Sequence, residues 1–387
     1  MNKFIHSGKG LTPARLCLLL VLLTGLSVSC RKANIDQNDL RNFQQVNLVS
    51  NNGANGPTLT DPTLQNAWGI AWSPTGIAWV NAEAAHVSEL YTGEGAIVRP
   101  PVNIPSPTDT IGGAPTGIVF AGGAGFQLAN GQPAAFLFVG DDGVLSGWNG
   151  AAGNNALRIA DNSAGSAYFG LALATWNGSH FLYAADFKAG KIVVWDTTFT
   201  QVNMPFTDPG LPASYSPFNI QSIGSWLFVM YAKVGPGGDE IHQTGLGLVD
   251  VFNPDGSFVK RFATGGTLNS PWGATMTPAN FLGDNDMDND DGSNQKNLLG
   301  KNKGKIDNDQ EPAILIGNFG DGRINVYTLD GHFRGQLQKH KQAITIDGLW
   351  ALSFAPSSAT AIDPMRLYFS AGPKDETDGI FGYLIKK

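Results

Sequence analysis

Ala67-Trp68-Gly69-Ile70-Ala71 opens a unit that returns five more times along the chain. The later openings are Pro115-Thr116-Gly117-Ile118-Val119, Tyr168-Phe169-Gly170-Leu171-Ala172, Pro217-Phe218-Asn219-Ile220, Pro271-Trp272-Gly273-Ala274 and Leu349-Trp350-Ala351-Leu352. Spacings of roughly 50 residues mark stacked repeats, because one short multi-stranded unit cannot bury both of its faces alone. Six such units predict an all-β fold, a six-bladed β-propeller. A β-sandwich of similar composition would not repeat.

Each unit continues with an apolar run, such as Ala135-Phe136-Leu137-Phe138-Val139 or Trp226-Leu227-Phe228-Val229-Met230, which suits a strand buried on both faces. A third strand starts from Gly and ends on an aromatic, as from Gly143 to Trp148 and Gly190 to Trp195, with His86 in the Gly slot of the first unit. The sixth unit stops after its third strand. Residues 43–49 precede the first unit and alternate polar with apolar, so they are expected to complete the sixth blade and close the ring. Closure removes open sheet edges.

The composition, with 49 Gly and 22 Pro in 387 residues, suits many short strands and turns. The N-terminus reads as an address. Lys3, Lys9 and Arg15 precede an apolar stretch, residues 16–26, too short to span a bilayer. It ends in Ser27-Val28-Ser29-Cys30, close to a bacterial lipoprotein cleavage box, so residues 1–29 are expected to form a signal peptide and Cys30 the lipidation site. Residues 30–42 then read as a polar tether, and 43–387 as the propeller of an exported, lipid-anchored envelope protein, expected to be a monomer. Cys17 and Cys30 are the only cysteines, which leaves the mature chain without a disulfide. A net charge of −7, more negative once the basic leader is removed, argues against a nucleic-acid partner.

The fifth unit is longer than the others by roughly 28 residues. The excess, 284–311, begins with alternating carboxylates, Asp284, Asp286, Asp288 and Asp290, a spacing that hard cations such as Ca²⁺ favour. The EF-hand pattern fails, since Asp291 stands where that loop needs Gly and Asn297 where it needs Glu. A solvated loop and a Ca²⁺ loop both fit the residues.

Motifs for nucleophilic, zinc or phosphate-loop chemistry do not occur in the sequence. What remains is the mouth of the ring, where residues just before each first strand and just after each second strand gather. These are Asn66, Asn81, Asp141, Asp186, Asn269, Asn318 and Asp347, beside Trp68, Phe169, Phe218, Trp272 and Trp350. They could cap turns and fill the core, or form a concave polar and aromatic mouth for a sugar, peptide or cation.

The combination Trp68-Gly69-Ile70-Ala71, Pro115-Thr116-Gly117, Pro271-Trp272-Gly273 and Gly317-Asn318-Phe319-Gly320-Asp321-Gly322-Arg323 resembles an uncharacterised family of secreted bacterial proteins related to NHL-type six-bladed propellers. Some of that family's members carry a PEP-CTERM tail, which this chain lacks. The resemblance implies no catalytic residues. Two functions stay open: a non-catalytic binding or scaffold propeller with a protein, peptide or glycan partner and no cofactor, or a Ca²⁺-dependent esterase or lactonase-like hydrolase holding its ion on Asn81, Asp141, Asp186 and Asn318.

Overall fold

The computed structural model describes residues 35–283 and 311–387. The proposed leader, Cys30, and the insertion carboxylates Asp284, Asp286, Asp288 and Asp290 lie outside the described residues. Ile35–Lys387 form one compact unit.

Six antiparallel sheets follow one another around an axis. The first strands of the blades, Ala67–Trp72, Pro115–Phe120, Tyr168–Trp176, Tyr215–Ile223, Pro271–Met276 and Leu349–Ser353, lie innermost. Each is the opening quoted above. Each also carries a register shift at the aromatic–small step, from Ala67/Ile70 in blade 1 to Leu349/Leu352 in blade 6. A bulge there turns one extra residue out of the ladder. The small residue is required because neighbouring blades almost touch: a Cβ on Gly69 would sit 2.5 Å from the Thr116 carbonyl, and one on Gly273 would sit 2.6 Å from that of Trp350.

Side chains of one blade also latch backbone carbonyls in the first strand of the next. Asn81 Nδ2 donates to Thr116 O (3.0 Å), Thr116 Oγ1 to Tyr168 O (2.6 Å) and Asn219 Nδ2 to Trp272 O (2.7 Å), while Ser370 Oγ donates to Trp68 O. Adjacent blades are thus held by buried hydrogen bonds as well as by apolar packing, which makes the polar residues of the repeat structural.

The ring closes as the sequence predicts. Phe43–Ser50 pairs antiparallel with Ile380–Lys386, from Phe43↔Lys386 to Ser50↔Ile380, as the fourth strand of blade 6. Leu59–Thr60 then adds in parallel outside it. Blade 3 is leaner than expected, with three strands and a single bridge, Trp195↔Gln201, in place of the fourth. The polar-tether reading needs correction at its end. Ile35 and Leu40 are buried with Phe43, Phe281, Leu337 and Ile344, so residues 35–42 pack onto blades 5 and 6.

Behind the closing strand lies a buried carboxyl pair. The Thr63 hydroxyl stands 2.6 Å from Asp61 Oδ1 and 2.5 Å from Glu89 Oε1, and Tyr91 donates to Asp61 Oδ2 (2.8 Å). One hydroxyl proton cannot serve both carboxylates, so one acid must bring its own. Glu89 is 1% exposed, and burial, with the charge of Asp61 adding to it, pushes its carboxyl up to about 7. The folded value exceeds the unfolded one, so the folded state binds the extra proton between the two. Stability from this group is complete below the unfolded pKa near 4.5 and is lost as pH rises through about 7. From Glu89 alone, stability should fall by roughly 2.5 kcal/mol between pH 5 and pH 8. Glu89→Gln, which keeps the hydrogen bond without the titration, should remove that share of the pH dependence and leave the share of other raised carboxyls such as Asp141; an unchanged slope would remove Glu89 as a cause.

Candidate functional site

The bulged residues converge on the axis. Trp350 is stacked between Trp68 (3.5 Å) and Phe319 (3.8 Å), with Trp272 edge-on to both tryptophans at 6.0 and 5.7 Å. Phe169, Phe187 and Phe218 complete the cluster, Phe169 standing edge-on to Trp68 at 5.5 Å. Blade 2 alone places a non-aromatic residue, Thr116, in this position. Trp68, Trp272 and Trp350 are buried, so they plug the channel and do not line an open mouth. Beyond the plug, Gly117, Leu171 and Ser353 line a small void of about 30 Å³.

The polar residues expected at the mouth are mostly turn and blade locks. Asp186 Oδ1 accepts from the Ala167 and Ala189 amides (3.1 and 3.0 Å). Asn318 Nδ2 donates to Thr267 O (2.8 Å) and Asp321 Oδ1 (2.9 Å). Asp347 is exposed and accepts from the Lys374 amide (3.0 Å). Asn269 is buried in the turn whose carbonyl receives the Gly320 amide.

Asn81 Oδ1 and Asp186 Oδ2 are buried without a hydrogen-bond partner among the described residues. They belong to blades 1 and 3, and the Asn81 amide is turned to the backbone of the intervening blade 2. Among the described residues no three His, Cys, Asp or Glu groups are placed to hold a metal ion.

Asn66 is different. It sits at φ 48°, a left-handed conformation that Asn tolerates better than most residues, just before the first strand of blade 1. Its Nδ2 donates to both Glu83 Oε2 (3.0 Å) and Glu376 Oε2 (2.8 Å), and its Oδ1 accepts from Trp350 Nε1 (3.2 Å). One amide thus ties the plug to two carboxylates on the mouth surface.

Glu83 lies in the turn after Ala78–Ala82, and Glu376 in the loop after Leu367–Ala371. Lys374, Asp375 and Glu376 are successive residues with positive φ (57°, 52° and 66°), a conformation costly for L-residues. Asp141, in the tight turn of blade 2, is half-buried, and its carboxyl is pushed up to about 7 by burial first and then by the charges of Glu83, Asp142 and Glu376. Burial raises the Glu376 carboxyl too, with the charges of Glu240 and Glu83 adding to it. In blade 4, His242 Nε2 lies 3.0 Å from Glu240 Oε1, and that hydrogen bond raises the imidazole pKa. The His242 ring stands edge-on to Phe319 of the plug at 5.0 Å.

The mouth is therefore an acidic rim over an aromatic floor, and its charges come from four blades. Of this rim the sequence points to Asn66 and Asp141 but not to Glu83, Glu240, His242 or Glu376. Glu83 stands only two positions beyond Asn81, so a slightly wider reading of the turns after the second strands would have included it.

These features define a six-bladed β-propeller with a plugged channel. No family model matches the chain. A protein of Acanthamoeba polyphaga mimivirus, uncharacterized protein L690, is 31% identical over 347 residues, which cover 84% of this chain and 81% of the viral one. The chain belongs to the family of that protein. A second mimivirus protein, uncharacterized protein R648, is 29% identical over 88% of this chain and 80% of its own length. These relatives are viral, where the resemblance noted above implied bacterial ones. Among solved structures, a streptogramin B lyase is similar over 88% of this chain and 96% of its own, at 13% identity and a TM-score of 0.45.

Proposed function

We propose that this chain is a non-catalytic binding propeller, displayed on a membrane through Cys30, whose mouth receives a cationic group of a protein or peptide partner. One observation carries the reading: a single Asn66 amide holds Glu83 and Glu376 together, with Asp141 and Glu240 adjoining, over a channel filled by the buried aromatic cluster. Like charges gathered this way destabilise one another and favour protonation. An ammonium or guanidinium group placed among them relieves the repulsion and gains charge-assisted hydrogen bonds. Surface display is supported by the leader and its terminal Cys30. The hydrolase reading has less support, because the Asn81 and Asn318 amides and Asp186 Oδ1 are engaged with backbone groups.

Binding should release a proton, because a cation favours the ionised form of Asp141. Affinity should accordingly rise as pH passes upward through about 7. The test is a calorimetric titration with a lysine- and arginine-rich peptide and with a glutamate-rich control. Saturable binding of the basic peptide alone is expected, weakened about tenfold or more in Glu83→Gln/Glu376→Gln. Equal binding of both peptides, or none, would defeat the reading.

A further inference from the structure

The surface charge is uneven. On a chain of net charge −7, Arg41, Lys339, Lys341 and Lys387 gather with His340 around two adjoining clefts of about 450 and 310 Å³. The hairpin that carries three of them pairs Gln338↔Ala343 and Lys339↔Gln342, which leaves His340-Lys341 as a two-residue turn. Both turn residues have positive φ (50° and 71°), positions that such turns normally give to Asn and Gly. Lys339, His340, Lys341 and Lys387 are exposed, and none of the four cationic residues has an ion-pair partner among the described residues.

Arg41 Nη1 donates to Asn38 Oδ1 (2.7 Å), and its Nε is buried with no acceptor. The carboxylates nearest Arg41 in the sequence are Asp36 and Asp39. Asp39 is buried, with Oδ2 accepting from the Asp36 amide (2.7 Å). Lys386 is turned inward onto the carbonyls of Asp39 and Leu282.

The patch stands where the first 34 residues join the ring. Ile35 enters the core, and Gln37 donates to Arg334 O in blade 5. Those 34 residues contain the apolar stretch 16–26, Cys30, and the further cations Arg31 and Lys32. A chain tied to a membrane through that segment has its adjacent surface brought to the headgroups, where basic side chains are attracted by about 1 kcal/mol each.

We infer that the Arg41/Lys339/Lys341/Lys387 patch is the face on which the ring lies against an anionic lipid surface. This deepens the membrane-display part of the proposed function by naming the face. It requires no acyl chain, so it can be tested apart from Cys30.

The compact unit Ile35–Lys387, whose ring is closed within itself, is mixed with vesicles of phosphatidylcholine alone and with vesicles containing one-third phosphatidylglycerol, and bound protein is recovered by flotation. Binding to the anionic vesicles only is expected, falling as salt is raised. Lys339→Ala/Lys341→Ala should weaken it roughly thirtyfold at an unchanged melting temperature. Equal binding to both vesicles, no binding, or a double variant that binds like the wild type would overturn the inference. So would competition by stoichiometric inorganic phosphate, which would mark a discrete phosphate site. In the full chain, membrane retention lost on Cys30→Ala with vesicle binding intact would separate the anchor from the face, and the peptide titration of the mouth is independent of both.

Discussion

A chain that begins at Asn51 is expected to show no cooperative melt. It lacks Phe43–Ser50, the fourth strand of blade 6, and leaves Ile380–Lys386 as an open edge. Phe43, Leu48 and Val49 are all buried, and their loss removes roughly 6 kcal/mol of apolar burial. The lost strand hydrogen bonds and the packing of Ile35 and Leu40 add to this. The sum approaches the whole stability of a typical domain, about 5–15 kcal/mol. Calorimetry of the truncated chain checks it: a cooperative transition at the wild-type temperature would show that the ring does not depend on this strand.

Trp350→Ala should be the most damaging single substitution at the axis. Trp350 is 1% exposed, is stacked on Trp68 and Phe319, and donates to Asn66. Removing it leaves a cavity where three blades meet and should cost about 4 kcal/mol in chemical denaturation. It also frees the Asn66 side chain that holds Glu83 and Glu376, so peptide affinity at the mouth should fall at temperatures where the variant is still folded. Trp350→Phe should recover most of the stability and less of the affinity, since it keeps the stack but not the N–H donor. A Trp350→Ala protein as stable as the wild type would contradict the plugged channel.

The repeat was legible because its physical demand is local. A bulge that turns an aromatic to the axis, followed by a residue small enough for the next blade to approach, leaves a similar two-residue mark in every unit, with Thr116 as the one non-aromatic first residue and Asn219 and Ala351 as the larger second ones. The closing strand was legible for a similar reason: residues 43–49 alternate as an outer strand must, and the last unit is one strand short.

What the aromatics do was not legible. Whether Trp68 and Trp350 line an opening or stack across it depends on the radius of the ring, which no local pattern encodes. Asn81, Asp186 and Asn318 each spend a polar atom on neighbouring backbone, while Asn81 Oδ1 and Asp186 Oδ2 keep no partner among the described residues. The rim carboxylates were hidden because the turns after the second strands differ in length. Glu83 follows its strand almost at once, while Glu240 sits in a longer loop between Trp226–Lys233 and Gly247–Phe252. Residues 35–42 read as a tether because they are polar on average, although Ile35 and Leu40 are enough to pin them to the ring.

The central claim, that the mouth is a cluster of carboxylates awaiting a cation, is tested most directly by a carbon-13 carboxyl titration of Glu83, Asp141 and Glu376, with and without the basic peptide. The account predicts that Asp141 titrates near pH 7 in the free protein and moves downward when the peptide binds. Titration of all three in the ordinary carboxylate range, unmoved by the peptide, would contradict it.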